Sequence, residues 1–331
     1  MKDRHLEIHL TINSSELPLR IDRFLRDYLS HHEDLELSRT ELKQLFEEQK
    51  VLLSGLPASA STLLKPGVLK IQILDLPEKT IQYASPALTL HAEVLYEDSH
   101  LLILNKPSGL PSVPHSSAET ETAVGVALAH SPGLQSIGRT PLEPGLLHRL
   151  DTETSGVLVF AKTQAEFDRL LLNWKTPHTQ KIYRALVEGF SPLPQTLPYP
   201  IDSPLGHDLK SKRKMRVATP DQLYRIRGKP LPARTDLLRV QAVKHPQIQT
   251  PHPLFDLTLQ IHTGVMHQIR THLSALHWPI LGDPLYHPSS RKSPQSNTRL
   301  WLHAWKIKLP LSSGETLEIT APLPAGWPTP S

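Results

Sequence analysis

One stretch of the chain combines groups able to do chemistry with a frame able to hold them. It runs His148-Arg149-Leu150-Asp151-Thr152-Glu153-Thr154-Ser155-Gly156 and continues without a break into Val157-Leu158-Val159-Phe160-Ala161-Lys162. The second half is apolar, β-branched and aromatic in its middle, and reads as a strand buried on both faces. The first half is polar and cannot be buried without partners. A carboxylate and a guanidinium thus sit on a loop at the end of a core strand. Gly156 marks the join, where a positive φ or a close backbone approach is easiest. Reactive side chains are commonly presented in this way, on a loop carried by a rigid scaffold. A plainer reading is an Asp-Thr-Glu-Thr loop making its own turn hydrogen bonds, and this window alone slightly favours it.

The 19 histidines raise the question of metal binding. His262, His267, His272 and His277 recur every five residues. On a helix that spacing is about 500°, so successive rings point apart. Helical zinc pairs use a spacing of four, and no metal site is expected. The chain has no cysteine, which excludes disulfides, thiolate zinc sites and thiol nucleophiles and suits a reducing cytosol. No apolar run reaches the length of a membrane span, and the N-terminus leads into no signal-peptide core. A soluble, cytoplasmic protein is expected, with no membrane partner.

Net charge is +4, but its distribution matters more. Residues 1–78 hold 10 Lys/Arg against 13 Asp/Glu. Residues 206–234 hold 9 basic and 2 acidic residues, a local excess of +7 that includes Lys212, Arg213 and Lys214. Such a patch favours a polyanion, although a charge run is more often a solvated loop.

A chain of 331 residues suggests two domains. In the first, residues 5–12 alternate as a strand. Ile21, Phe24, Leu25, Tyr28 and Leu29 recur at helical spacing. Ser38 and Glu41 form a capping box ahead of a second helix with Leu42, Leu45 and Phe46 inward. Short strands at 51–53 and 68–74 complete a module over 1–78, followed by a linker over 79–92. The second domain, 93–321, opens with strands at 94–97 and 101–104 and then a mostly irregular stretch, 111–145, interrupted by an apolar run at 123–129. After the central strand, Thr163 and Glu166 cap a helix with Phe167, Leu170, Leu171 and Trp174 on one face. Strands at 181–189, 234–243, 255–261, 300–309 and 315–319, and a turn-helix over 262–275, follow. Residues 322–331 read as a Pro-rich tail.

Two resemblances emerge from these residues. Leu19-Arg20-Ile21-Asp22-Arg23-Phe24-Leu25, Ser38-Arg39 and Lys65-Pro66-Gly67 resemble the alpha-L RNA-binding domain, whose basic face here would carry Arg20, Arg23, Arg39 and Lys43. His148–Asp151 with Thr154-Ser155-Gly156 resembles the signature of the RluA-type RNA pseudouridine synthases. Leu104-Asn105-Lys106-Pro107-Ser108-Gly109-Leu110, Lys181-Ile182-Tyr183-Arg184-Ala185, Gly264 with His267-Gln268-Ile269-Arg270, and Pro279-Ile280-Leu281-Gly282-Asp283-Pro284-Leu285-Tyr286 match in the same order, over roughly residues 93–320.

The resemblance implies an α+β fold with a mixed, largely antiparallel sheet, a small N-terminal α/β RNA-binding module, and uridine isomerisation without a cofactor. It makes Asp151 the catalytic carboxylate, as nucleophile or as base, Arg270 its ion-pair partner, and Tyr183 the cover of the base and a candidate for handling its proton. Arg149 would fill the gap left by an extruded base. His148, Leu150, Thr154, His267 and Gln268 would contact the RNA, with Lys212, Arg213 and Lys214 on flanking phosphates. Large-subunit ribosomal RNA is the first expectation and transfer RNA the second, with the protein acting as a monomer. A non-catalytic RNA-binding protein on the same fold is the rival, supported by Val265-Met266 where the family has Arg-Thr.

Overall fold

The computed structural model describes residues 5–13, 18–30, 37, 39–76, 82–244, 250, 252–288 and 299–328. Ser38 lies outside the described residues, and with it the capping box expected with Glu41. The chain divides into two compact units, Met1–Ile81 and Gln82–Ser331.

The first unit contains β1 (Leu6–Ile12), α1 (Ile21–Ser30), α2 (Arg39–Glu47), β2 (Val51–Leu53), β3 (Leu56–Pro57) and β4 (Gly67–Ile73). Its sheet runs β1-β4-β2-β3. The helical spacing read from the sequence puts Ile21, Leu25 and Leu29 of α1 and Leu42, Leu45 and Phe46 of α2 into one core with Val51, Ile71 and Ile73.

The second unit contains β5 (Glu93–Glu97), β6 (Leu101–Lys106), α3 (Ala123–His130), β7 (Ser155–Ala161), α4 (Gln164–Asn173), β8 (Gln180–Glu188), β9 (Tyr199–Ile201) and β10 (Leu205–Asp208). It continues through β11 (Met215–Val217), β12 (Ile226–Leu231), β13 (Thr235–Val243), β14 (Leu254–Ile261), α5 (Gln268–Ala275), β15 (Leu302–Pro310) and β16 (Thr316–Thr320). The large sheet runs β5-β6-β7-β15-β8-β14-β13-β9, with β16 on the far half of β15. Only β7 and β15 pair in parallel; the other neighbours are antiparallel. The architecture is α+β on a mixed, largely antiparallel sheet.

Every residue of β7 is buried, as an unbroken apolar run requires. Gly156 (φ +112°) faces Ala304 across the parallel pair. A Cβ there would lie 2.2 Å from the Ala304 carbonyl oxygen, so only glycine lets the two strands meet. The Thr163 side chain caps α4 by accepting from the Glu166 N–H, and Phe167 and Leu170 turn inward while Leu172 stays exposed.

Three segments differ from the sequence expectation. Residues 82–92, read as linker, are tied to the second unit: the Ala84 and Ala87 N–H groups donate to Pro141 and Gly125, and both side chains are buried. The described part of the tail is packed, with the Trp327 ring 5.6 Å from that of Trp301. The basic segment is no solvated loop but a separate sheet, β11-β10-β12, with its own small core of Leu205, Met215 and Ala233.

Candidate active site

Asp151 stands on the loop that feeds β7. Thr154 closes the loop by donating its N–H to the Asp151 carbonyl at 3.0 Å. A second loop, following β6, braces it from below. Lys106 is fully buried, and its ammonium donates to the carbonyls of Pro107 (2.9 Å), Leu110 (2.6 Å) and Thr152 (2.9 Å). Burial pushes the Lys106 pKa down to about 7, against the charges of Glu153 and Asp151. Ser108 donates to the Glu153 carbonyl at 2.6 Å. Ser112 both donates to the Leu150 carbonyl and accepts from its N–H. The carboxylate therefore rides on a cross-laced platform.

Arg270 reaches this platform from α5, 119 positions along the chain. Its Nη1 donates to Asp151 Oδ2 at 2.8 Å, while Nε and Nη2 grip both oxygens of Asp283 at 2.8 and 2.9 Å. Asp283 is itself fixed by the N–H groups of Leu285 and Tyr286. Burial opposes the Arg270 charge, but the Asp283 hydrogen bonds and the charges of Asp283 and Asp151 outweigh it and raise its pKa. At such separations and an effective dielectric of ~20, each ion pair is worth on the order of 4 kcal/mol of attraction before desolvation. Asp151 keeps its side chain 25% exposed. Among the described residues Oδ1 has no hydrogen-bond donor, so one carboxylate oxygen remains open to a ligand.

His267 stands beside the pair. It takes the left-handed conformation (φ 53°) at the start of α5. Its Nε2 lies 3.8 Å from Asp151 Oδ2. Tyr286 accepts from the Met215 N–H (2.7 Å), and its hydroxyl oxygen lies in hydrogen-bond contact with His267 Nδ1 at 3.0 Å. Burial lowers the His267 pKa, against the pull of the Asp151 charge. Tyr183, on β8, is buried, and burial followed by the Asp151 charge pushes its phenol pKa above the ordinary value.

The structure brings together Asp151, Arg270, His267 and Tyr183. Four other residues expected to contact RNA are buried or packed against neighbours within the protein. His148 turns inward: its ring lies 4.9 Å from that of Trp174 and its Nε2 accepts from the Val159 N–H. Leu150 and Thr154 are buried. Gln268 is buried and uses its amide on Arg234, Thr235, Thr263 and Val265, holding the turn that aims Arg270. Arg149 is exposed and meets Glu143 at 3.3 Å. Lys212 and Arg213 are exposed on the β10–β11 turn, and Lys214 reaches back to the Leu285 carbonyl. Val265 packs on the core of the small sheet, and Met266 is 40% exposed.

Sequence reasoning quoted Lys106, Asp283 and Tyr286 within motifs but gave them no role. Nothing in the 13-residue spacing of Arg270 and Asp283 announces their contact. The regularly spaced histidines do not converge: His262 meets Asp236, His267 meets Tyr286, and His272 meets Thr235 and Ser203.

Residues 100–275, which hold Asp151, Tyr183 and Arg270, match the RNA pseudouridylate synthase family. The chain belongs to the RNA pseudouridine synthases. It is 36% identical to an uncharacterized RNA pseudouridine synthase of Chloroflexus aurantiacus over 92% of this chain and 87% of that one. It is 31% identical to the ribosomal large subunit pseudouridine synthase D of Nitrosomonas europaea over 96% and 85%. Its fold is shared with the human RNA pseudouridylate synthase domain containing 1, at a TM-score of 0.56 and 23% identity, over 77% of this chain and 92% of that one. Membership of the synthase family makes the protein an RNA isomerase. Among the described residues, no helix of this synthase is long and apolar enough to cross a membrane.

Proposed function

We propose that this synthase is of the RluA type, with an alpha-L RNA-binding domain as its first unit, and isomerises a specific uridine of large-subunit ribosomal RNA. Two observations support the ribosomal target: the name of the Nitrosomonas europaea relative and the basic sheet beside the carboxylate. The single observation that carries the catalytic reading is the Arg270–Asp151 bond, made by an arginine already anchored on Asp283.

In the reaction the bond from ribose C1′ to N1 of the base breaks, the base turns, and C1′ joins C5. The proton on C5 leaves and N1 regains one, so nothing is oxidised and no group is added. Asp151 starts the cleavage, by attack at C1′ or as a base, and either role uses the carboxylate that Arg270 holds in place. Its open oxygen faces the substrate. Tyr183 covers the base. Its raised pKa keeps the phenol protonated, which suits it to hold and orient the ring; to take the C5 proton it must first pass on its own. Arg149, held only by an exposed ion pair with Glu143, is free to swing into the stack the base vacates. The exposed Lys212 and Arg213 meet flanking phosphates.

The test is tritium release from RNA labelled at C5 of uridine, together with pseudouridine mapping in a strain lacking the protein. Release by the native protein and its loss in Asp151→Ala are expected, with one large-subunit ribosomal position left as uridine in the strain. A missing pseudouridine in transfer RNA instead would overturn the choice of target.

A further inference from the structure

The sheet β11-β10-β12 is built as a rigid object beside the catalytic carboxylate. Its core of Leu205, Met215 and Ala233 is joined by Val265, which precedes α5. The Met215 N–H donates to Tyr286, and the Lys214 ammonium to Leu285, in the turn whose backbone fixes Asp283. The β10–β11 turn is pinned from within. Buried Asp208 accepts from the N–H groups of Lys210 (2.8 Å) and Ser211 (3.0 Å) through Oδ1, and from Arg216 through Oδ2. Lys212 and Arg213 project from this turn, and the Arg213 charge reaches His267.

Two features of the sheet lack an internal purpose. Of the nine Lys and Arg in 206–234, only Arg216 and Arg234 pair with a carboxylate among the described residues. In the N-terminal unit, by contrast, Arg20 pairs with Asp22, Lys43 with Glu47 and Lys70 with Glu7. Unpaired like charges on one small sheet repel, and a polyanion relieves that repulsion. The second feature is Tyr224, at the end of a short 3-10 helix (Pro220–Arg225), 69% exposed and edged by Arg225, whose Nε donates to its hydroxyl at 2.9 Å. An exposed ring flanked by a guanidinium, among free cations, is a platform on which an unpaired base stacks.

We infer that this sheet is a substrate-selecting arm: Lys212 and Arg213 hold backbone phosphates next to the extruded uridine, and Tyr224 with Arg225 stacks a second unpaired base of the same RNA. The preferred substrate is then a hairpin or junction with at least two unpaired bases, rather than a continuous duplex. The inference rests on the function proposed above and is tested separately from it.

The probes are a fluorescent RNA hairpin with a uridine-bearing loop and a fully paired duplex of the same length, titrated with the full-length protein over a range of salt. Tyr224→Ala, at an exposed position, is expected to weaken hairpin binding about tenfold and leave duplex binding unchanged. Tyr224→Phe should bind as the native protein does. Lys212→Ala with Arg213→Ala should weaken both probes and flatten the salt dependence by about two in log–log slope. In tritium release from ribosomal RNA, Tyr224→Ala should raise KM at unchanged kcat. Native-like hairpin binding by a Tyr224→Ala protein with a native melting curve would overturn the arm while native tritium release leaves the catalytic reading standing. No release by the native protein from any cellular RNA would overturn the catalytic reading, and the hairpin titrations would still decide the arm.

Discussion

Two of the Arg–Asp pairs in the second unit, Arg184–Asp256 and Arg270–Asp151, serve opposite ends. Arg184, next to Tyr183 on β8, points to the other face of the sheet. Its fork closes on Asp256 of the neighbouring strand β14, with the side chains 9% and 1% exposed. The indole N–H of Trp327 also donates to Asp256, and the Arg184 guanidinium lies 5.2 Å from the Trp305 ring. In the other pair, the Arg270 fork is taken by Asp283, and Asp151 receives a single bond and stays 25% exposed. A fully used, sealed pair stabilises one arrangement of strands. A pair with a third partner behind the arginine holds the carboxylate in place and leaves one oxygen for the substrate. What separates them is where the second prong goes and whether solvent, and hence a ligand, can enter.

The largest effect should come from discharging the open pair. Asp151→Asn keeps the shape and removes the charge; tritium release should fall by about 10⁴-fold, with a melting temperature close to native. Retention of a tenth of the activity would erase the distinction between the pairs. Next comes the sealed pair. Arg184→Met strands the Asp256 charge in the sheet and should cost about 3–5 kcal/mol in urea unfolding, while folded molecules keep native kcat. Adding Asp256→Leu should recover most of that loss, since no buried charge is then left alone. Arg270→Lys should be milder for the fold but lower kcat by about 10²-fold, because an ammonium cannot bridge Asp283 and Asp151 in the same geometry.

The last effect concerns pH. Burial pushes His148, on the loop leading to Asp151, down to about 3, and His303, paired in register with Arg184, down to about 4. Both are neutral in the folded protein, whereas in the unfolded chain they take up protons near pH 6.5. The unfolded state therefore binds more protons as pH falls from about 6.5 toward 4, and stability drops by about 1.4 kcal/mol per pH unit for each ring. Urea midpoints measured down this range should show that slope. His148→Gln should remove roughly half of it and leave the share of His303, which divides the acid sensitivity between the open and the sealed side.

The inward faces of α1 and α2, the all-buried β7, the Thr163 cap of α4 and the glycine at position 156 were all legible in the chain, because each follows from side-chain spacing or backbone freedom within a few residues. The motif around Asp151 and the one ending in Arg270 were legible too, as local patterns. Their contact across 119 positions was expected only through resemblance.

Everything that makes the carboxylate usable is non-local. Asp283 behind Arg270, the Lys106 ammonium under Thr152, the Tyr286 hydroxyl against His267, and the packing of the basic segment into a sheet of its own join groups that no spacing relates. The packing of His148 against Trp174 belongs here as well, since no sequence spacing announces that contact. Residue order sets which groups are available and how each short segment curls. Only close packing of distant segments sets which of those groups lose water, and the loss of water is what makes one aspartate a structural tie and another a reagent.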